Sequence, residues 1–250
     1  MNGDFLALLP KPPVVQVSAS APEIVQGTTV FAFHCREGVV IAGDHRATAG
    51  NTIFSDKTEK ILELDSHSLM AIAGVPATAF EMARTLQTTF EYYRRSQLQS
   101  MSLLAKIRAL SKLLRDNLAA TLQGFGVVAP IFAGVELSDP KASPCIYFYD
   151  PLGAQFEAAT YAGSGSGSGS IKSVLHYLEK WGDPTPAEMS LGEATTLAIR
   201  LLMTASEFDS ATGGVNPERD LFATIKLLTR DGIKTVDIKE QERCWKEKAR

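Results

Sequence analysis

The step Gly27-Thr28-Thr29 joins a leader rich in Pro, Ser and Ala to a stretch that alternates like a β-strand. A threonine hydroxyl is a weak nucleophile unless a base lies beside it. If the chain is cut before Thr28, a free α-amine appears on the residue that carries the hydroxyl. That amine titrates at about 7.7–8.0, so it can accept the hydroxyl proton near neutral pH. Gly27 has no Cβ, which lets its carbonyl approach the Thr28 hydroxyl in a tight turn, and the same oxygen could then sever its own leader. Such a step can also do no more than open a strand, since short motifs match by chance.

Other chemistries fit less well. The run Gly163 to Ser170 alternates Gly and Ser without matching G-x-S-x-G, G-x-G-x-x-G or the phosphate-binding loop. His45 follows Asp44 directly, and neighbouring strand positions point to opposite faces. The four histidines, His34, His45, His67 and His176, lack metal-ligand spacing. Cys35, Cys145 and Cys244 form no C-x-x-C pair; their odd number argues against a disulfide framework and fits a reducing cytosol. A net charge of −3 leaves no electrostatic footprint for nucleic acid or an anionic membrane. No apolar run reaches the length of a membrane span. Phe5 to Leu9 is apolar and Ala19-Ser20-Ala21 resembles a signal-peptidase site, but the early charge is Asp4 and Pro10, Pro12 and Pro13 cut the run short. The leader is expected to be flexible or extended.

These residues need elements to hold them. Strands are expected over Thr29–Cys35 and Val39–Asp44, joined by a turn at Arg36-Glu37-Gly38, and again at Ser68–Ala73, Ile131–Val135, Cys145–Tyr149, Phe222–Leu228 and Ile233–Ile238. Helical stripes run through Phe80, Ala83, Leu86 and Phe90, through Leu103, Ile107, Leu110 and Leu114, and through Ile171, Val174, Leu175 and Leu178. Ser190-Leu191-Gly192-Glu193 offers a capping box for a further helix through Leu202. The order of strands, two helices, two strands, two helices and two strands implies stacked layers rather than βαβ winding. No internal repeat of a solenoid type is visible. Read alone, Gly163–Ser170 is either a flexible linker or a turn-forming, anion-binding loop.

Four stretches change the weight of Gly27-Thr28-Thr29. They are Asp44-His45-Arg46-Ala47-Thr48-Ala49-Gly50, Lys60 within Asp56 to Ile61, Ala71-Ile72-Ala73-Gly74, and Asp209-Ser210-Ala211-Thr212-Gly213-Gly214. In this order, from Thr28 to about Ile238, the chain resembles the proteasome β-subunit family, the N-terminal-threonine branch of the Ntn hydrolases. It is most similar to the bacterial type found in actinobacteria, on Asn117 to Gly124 and Asp209 to Gly214. The resemblance implies an α+β, four-layer αββα sandwich of antiparallel sheets flanked by helix pairs. It implies a propeptide at 1–27, removed by cleavage at Gly27-Thr28, and a catalytic domain at 28–250.

By the same resemblance Thr28 is the nucleophile, its freed amine the general base, Lys60 the catalytic lysine and Asp44 its orienting carboxylate. Gly74 supplies an oxyanion-hole N–H, while Asp209 and Thr212 support the amine; the family more often has serine at the Thr212 position. The family's serine near the threonine aligns with Ser164, with Ser166 and Ser168 left open by the doubled run. Substrate is expected to add as a strand against the backbone of Thr48 and Gly74. Pro76 stands where a substrate-binding N–H is usual and has none to offer. An uncharged pocket of Ala47, Thr58, Leu62, Ile72 and Phe80 implies cleavage after apolar residues. The implied setting is cytoplasmic: seven-membered β rings between α-subunit rings, fed with polypeptide by an ATP-dependent unfoldase, with no metal or organic cofactor. The alternatives are another self-processing Ntn amidohydrolase and a catalytically silent ring subunit.

Overall fold

The computed structural model describes residues 28–50 and 52–248. The expected leader, residues 1–27 with Gly27, lies outside them. In chain order the strands and helices are β1 (Thr29–Cys35), β2 (Gly38–Gly43), β3 (Ala47–Ala49), β4 (Thr52–Ser55), β5 (Ile61–Asp65), β6 (Ser68–Ala71), α1 (Pro76–Gln97), α2 (Leu103–Asp116), α3 (Leu118–Leu122), β7 (Ile131–Gly134), β8 (Cys145–Tyr149), β9 (Gln155–Ala158), β10 (Tyr161–Gly165), α4 (Ser168–Trp181), α5 (Leu191–Phe208), β11 (Thr224–Thr229), β12 (Gly232–Thr235) and α6 (Ile238–Lys248).

Strand alternation sorts the core into three layers of contact. On β1, Phe31, Phe33 and Cys35 face one way and Val30 and Ala32 the other; on β2, Val40 and Ala42 oppose Val39 and Ile41. The first set packs on Ile171 and Leu175 of α4 and on Ala194, Ala198, Leu201 and Leu202 of α5. The second set meets Ile61, Leu69, Ala71, Ile131, Ala133 and Ile146 of a second sheet. That sheet turns Met70, Phe132 and Tyr149 outward onto Met82, Leu86 and Phe90 of α1 and Ile107, Leu110 and Leu114 of α2. Period 2 in the strands and 3.6 in the helices therefore yields helix, sheet, sheet, helix, as expected.

Both five-stranded sheets are antiparallel, ordered β10-β1-β2-β11-β12 and β5-β6-β7-β8-β9, and β3-β4 form a separate hairpin. Helix starts follow local chemistry: Pro76 sits in the first turn of α1, the Ser102 hydroxyl accepts from Ala105 N, and Ser190 and Glu193 form a reciprocal capping box.

The structure differs from the expectation in several places. Ala47–Ala49, Thr52–Ser55, Ile61–Asp65, Gln155–Ala158 and Tyr161–Gly165 are additional strands, Leu118–Leu122 is an additional short helix, and the strands expected to run past 71, 134 and 235 end there. Gly163–Ser170 is neither linker nor loop alone: its first half ends β10 and its second half opens α4. Ile238, expected to end the last strand, instead opens α6, which runs to Lys248 and buries Gln241 and Cys244. Gln241 fastens that helix by accepting from Ala223 N and donating to Ala223 O.

Candidate active site

Thr28 stands immediately before β1, at the point where the sheet edge meets the Gly/Ser segment. Its carbonyl accepts from Ser166 N at 3.1 Å. This approach requires glycine at 165, whose φ is +93° and where a Cβ would lie 1.8 Å from Thr28 O. The Thr28 side chain is almost fully covered, and its Oγ1 accepts from Gly74 N at 3.3 Å.

Gly74 follows β6 and makes an isolated bridge to Val128, while Val75 N donates to Val127 O. Its φ is +108°, and an added Cβ would lie 2.0 Å from Val127 O. Any side chain would disturb the turn that aims this N–H at Thr28.

Asp44 leaves the end of β2 and Lys60 immediately precedes β5; both are fully buried and form an ion pair of 2.7 Å. Lys60 Nζ also donates to Arg46 O at 2.5 Å. Asp44 Oδ1 additionally accepts from Thr29 N at 3.0 Å, and its Oδ2 accepts from Arg46 N at 2.9 Å and Gly213 N at 2.8 Å. One carboxylate thus ties the lysine, the peptide after Thr28 and the segment after α5 together. Burial pulls the pKa of Lys60 below the ordinary lysine value, against the opposing pull of Asp44.

A second polar chain lies on the other side of the threonine. Thr212 Oγ1 donates to Asp209 Oδ2 at 2.6 Å, so in its 2.6 Å contact with Thr29 Oγ1 the proton comes from Thr29. Thr29 Oγ1 in turn accepts from Gly167 N at 3.0 Å. Ser166 Oγ donates to the same Asp209 Oδ2 at 2.6 Å. Burial opposes ionisation of Asp209, but the Ser166 and Thr212 hydroxyls outweigh it and bring its carboxyl below the ordinary aspartate range.

The structure therefore gathers Thr28, Asp44, Lys60, Gly74, Asp209 and Thr212, and it corrects the serine. Ser164 pairs with Val30 and donates to Ala129 O at 2.6 Å, away from Thr28. Ser166 is the serine that meets both Thr28 and Asp209. Alternation along an ideal strand would put 164 and 166 on one face, but the positive φ of Gly165 ends that regularity. Sequence reasoning also missed Thr29, which looked like a plain strand residue; its signal was a second hydroxyl directly after the candidate nucleophile.

The expected substrate pocket is corrected in part. A cavity of about 330 Å³ beside Gly74 is lined by Ala47, Phe54, Thr58, Val75, Pro76, Ala77 and Phe80. Ile72 does not reach it: at 1% exposure it lies in the core under α1, and Leu62 packs against the same cluster. No charged side chain lines the cavity. Thr48 lies on β3, and among the described residues β3 pairs with β4 alone. Among the described residues no group of His, Cys, Asp and Glu could hold a metal ion, and no helix is long and apolar enough to cross a membrane.

The family model described as "Proteasome subunit" matches residues 24–216. "Proteasome subunit beta" of Stackebrandtia nassauensis is 39% identical over 218 residues, covering 86% of this chain and 76% of the relative. "Proteasome subunit beta 2" of Thermomonospora curvata is 38% identical over 235 residues, 94% of this chain and 80% of the relative. "Proteasome subunit beta" of Mycolicibacterium vanbaalenii is 37% identical over 216 residues, 85% of this chain and 68% of the relative. The chain belongs to the proteasome subunit family, and the relatives it is similar to there are β subunits.

Proposed function

We propose that this chain is the proteolytic β subunit of a 20S-type proteasome core particle, a threonine endopeptidase that frees its own nucleophile by cleavage at Gly27-Thr28. The observation that carries the proposal is the Thr28 hydroxyl accepting from Gly74 N, with the buried Lys60–Asp44 pair bound through Asp44 to the very next N–H, that of Thr29. Once the leader is gone, the α-amine takes the proton from Oγ1 as that oxygen attacks the substrate carbonyl. The nearby ammonium favours the ionising hydroxyl, and Gly74 N–H stabilises the charge that develops on the carbonyl oxygen. Collapse expels the amine product and leaves an ester on Thr28, which water hydrolyses with the same amine as base. Ser166, Thr212 and Asp209 hold the amine's side of the site through Thr28 O and Thr29 Oγ1.

Substrate adds in extended form along the open edge of β3, between Thr48 and Gly74. Pro76 offers no N–H to it, so that side of the strand is held by fewer backbone bonds. The uncharged cavity favours cleavage after apolar residues. By family, the subunit assembles in β rings stacked against α-subunit rings and receives polypeptide from an ATP-dependent unfoldase; its free thiols suit the cytoplasm. The test is turnover of fluorogenic peptides ending in apolar, basic and acidic residues by wild type and Thr28→Ala. Apolar preference that vanishes in the variant supports the proposal. Turnover that persists in Thr28→Ala, or that is faster after Arg or Glu, overturns it.

A further inference from the structure

The chain neighbours of both members of the ion pair converge on one hydroxyl. His45, directly after Asp44, brings Nε2 to 2.7 Å from Thr224 Oγ1. Glu59, directly before Lys60, accepts from Thr224 Oγ1 at 2.9 Å through Oε2, while its Oε1 accepts from Ile61 N at 2.8 Å. A carboxylate cannot donate, so the Thr224 proton belongs to Glu59 and His45 must carry its own on Nε2. The direction is thus fixed: His45 N–H to Thr224 O–H to Glu59. Thr224 is buried on β11 and pairs with Gly43, the residue before Asp44. A backbone bond from Thr58 N to His45 O closes the same loop.

We propose that Thr224 is a positioning residue, whose hydroxyl sets the spacing of the Asp44 and Lys60 segments and so the alignment of Lys60 with the nucleophile. The inference rests on the reaction proposed above. Neither Asp44 nor Lys60 is touched by this relay directly; it grips the residue beside each. Loss of the hydroxyl loosens that alignment, while the substrate pocket keeps its lining from α1 and β4, and Thr58, which the loop shares with it, keeps its backbone bond to His45 O.

The test is steady-state kinetics of the assembled, full-length protein on an apolar fluorogenic peptide, with Thr224→Val and Thr224→Ser. Valine keeps the β-branched shape in the strand, and the cavity of about 620 Å³ onto which Thr224 opens leaves room for it. Thr224→Val is expected to lower kcat about 10- to 100-fold with KM little changed, the signature of a misaligned reacting group. Thr224→Ser, which restores the hydroxyl, is expected to recover most of that loss. Wild-type kcat in Thr224→Val, or an equal loss in Thr224→Ser, overturns the proposal. Should Thr224→Val fail to fold, Glu59→Ala at an exposed position decides: lowered kcat supports the relay and unchanged kcat overturns it. An inactive wild type sinks the functional reading itself, whereas an active wild type with an equally active Thr224→Val sinks this inference alone.

Discussion

Replacing Asp44 by Asn keeps the side-chain shape and removes the charge. Each carboxylate oxygen faces only donors: Lys60 Nζ and Thr29 N on Oδ1, Arg46 N and Gly213 N on Oδ2. An amide presents one oxygen and one NH2 group, so either orientation sets donors against donors. Lys60, fully buried, keeps Arg46 O as an acceptor but loses its counter-charge. Breaking a buried ion pair from one side costs about 3–5 kcal/mol, much of it the uncompensated charge. The unmet N–H groups belong to the same loss and are not added to it.

The contrast is Asp56→Asn at the partly exposed Arg46–Asp56 pair, where about 1 kcal/mol or less is at stake. Urea unfolding should be compared in a Thr28→Ala background, so that all chains keep the same leader. Without Asp44 the Lys60 pKa falls further below its ordinary value. The cost of the buried ammonium is present below that folded value and relieved as pH rises through it, so the Asp44→Asn deficit should shrink toward alkaline pH. A variant within about 1 kcal/mol of its parent, or an equal loss in Asp56→Asn, would refute the reasoning.

Two further outcomes follow from the same geometry. Gly74→Ala must move its backbone, because the new Cβ would meet Val127 O, and displacing the N–H from Thr28 Oγ1 should lower kcat about 100- to 1000-fold; turnover at the wild-type rate contradicts the oxyanion role. Asp65 is held below its ordinary value of 3.8 because the buried Lys106 ion pair outweighs the cost of burial. Its contribution is present above that value and lost as pH falls through the depressed folded one. Asp65→Asn should therefore be less stable than wild type near neutrality, with the gap closing in acid denaturation; a gap that widens in acid contradicts this.

Much of the fold was legible because alternation and helical stripes coincide with burial. Phe31, Phe33 and Val40 alternate with Val30, Ala32 and Ile41 onto two different cores, and Leu86 and Leu110 mark the helix faces. What failed to show has a physical reason in each case. In β5 a register shift between Glu63 and Asp65 breaks the period, and β10 ends in Gly and Ser, which mimic a linker. The polar surface of α6 hides the few residues, Gln241 and Cys244, that fasten it. The lysine, its carboxylate and Gly74 stood out in order along the chain. Ser166 did not, because the left-handed turn at Gly165 decides which serine reaches Asp209.

The central claim is that Thr28 works with its own freed amine, and the intact mass of the chain in active particles tests it most directly. The account predicts the 223 residues from Thr28 onward, 250 minus the leader of 27, with the full 250 retained in Thr28→Ala. Active wild-type particles in which every chain still carries the leader would contradict it.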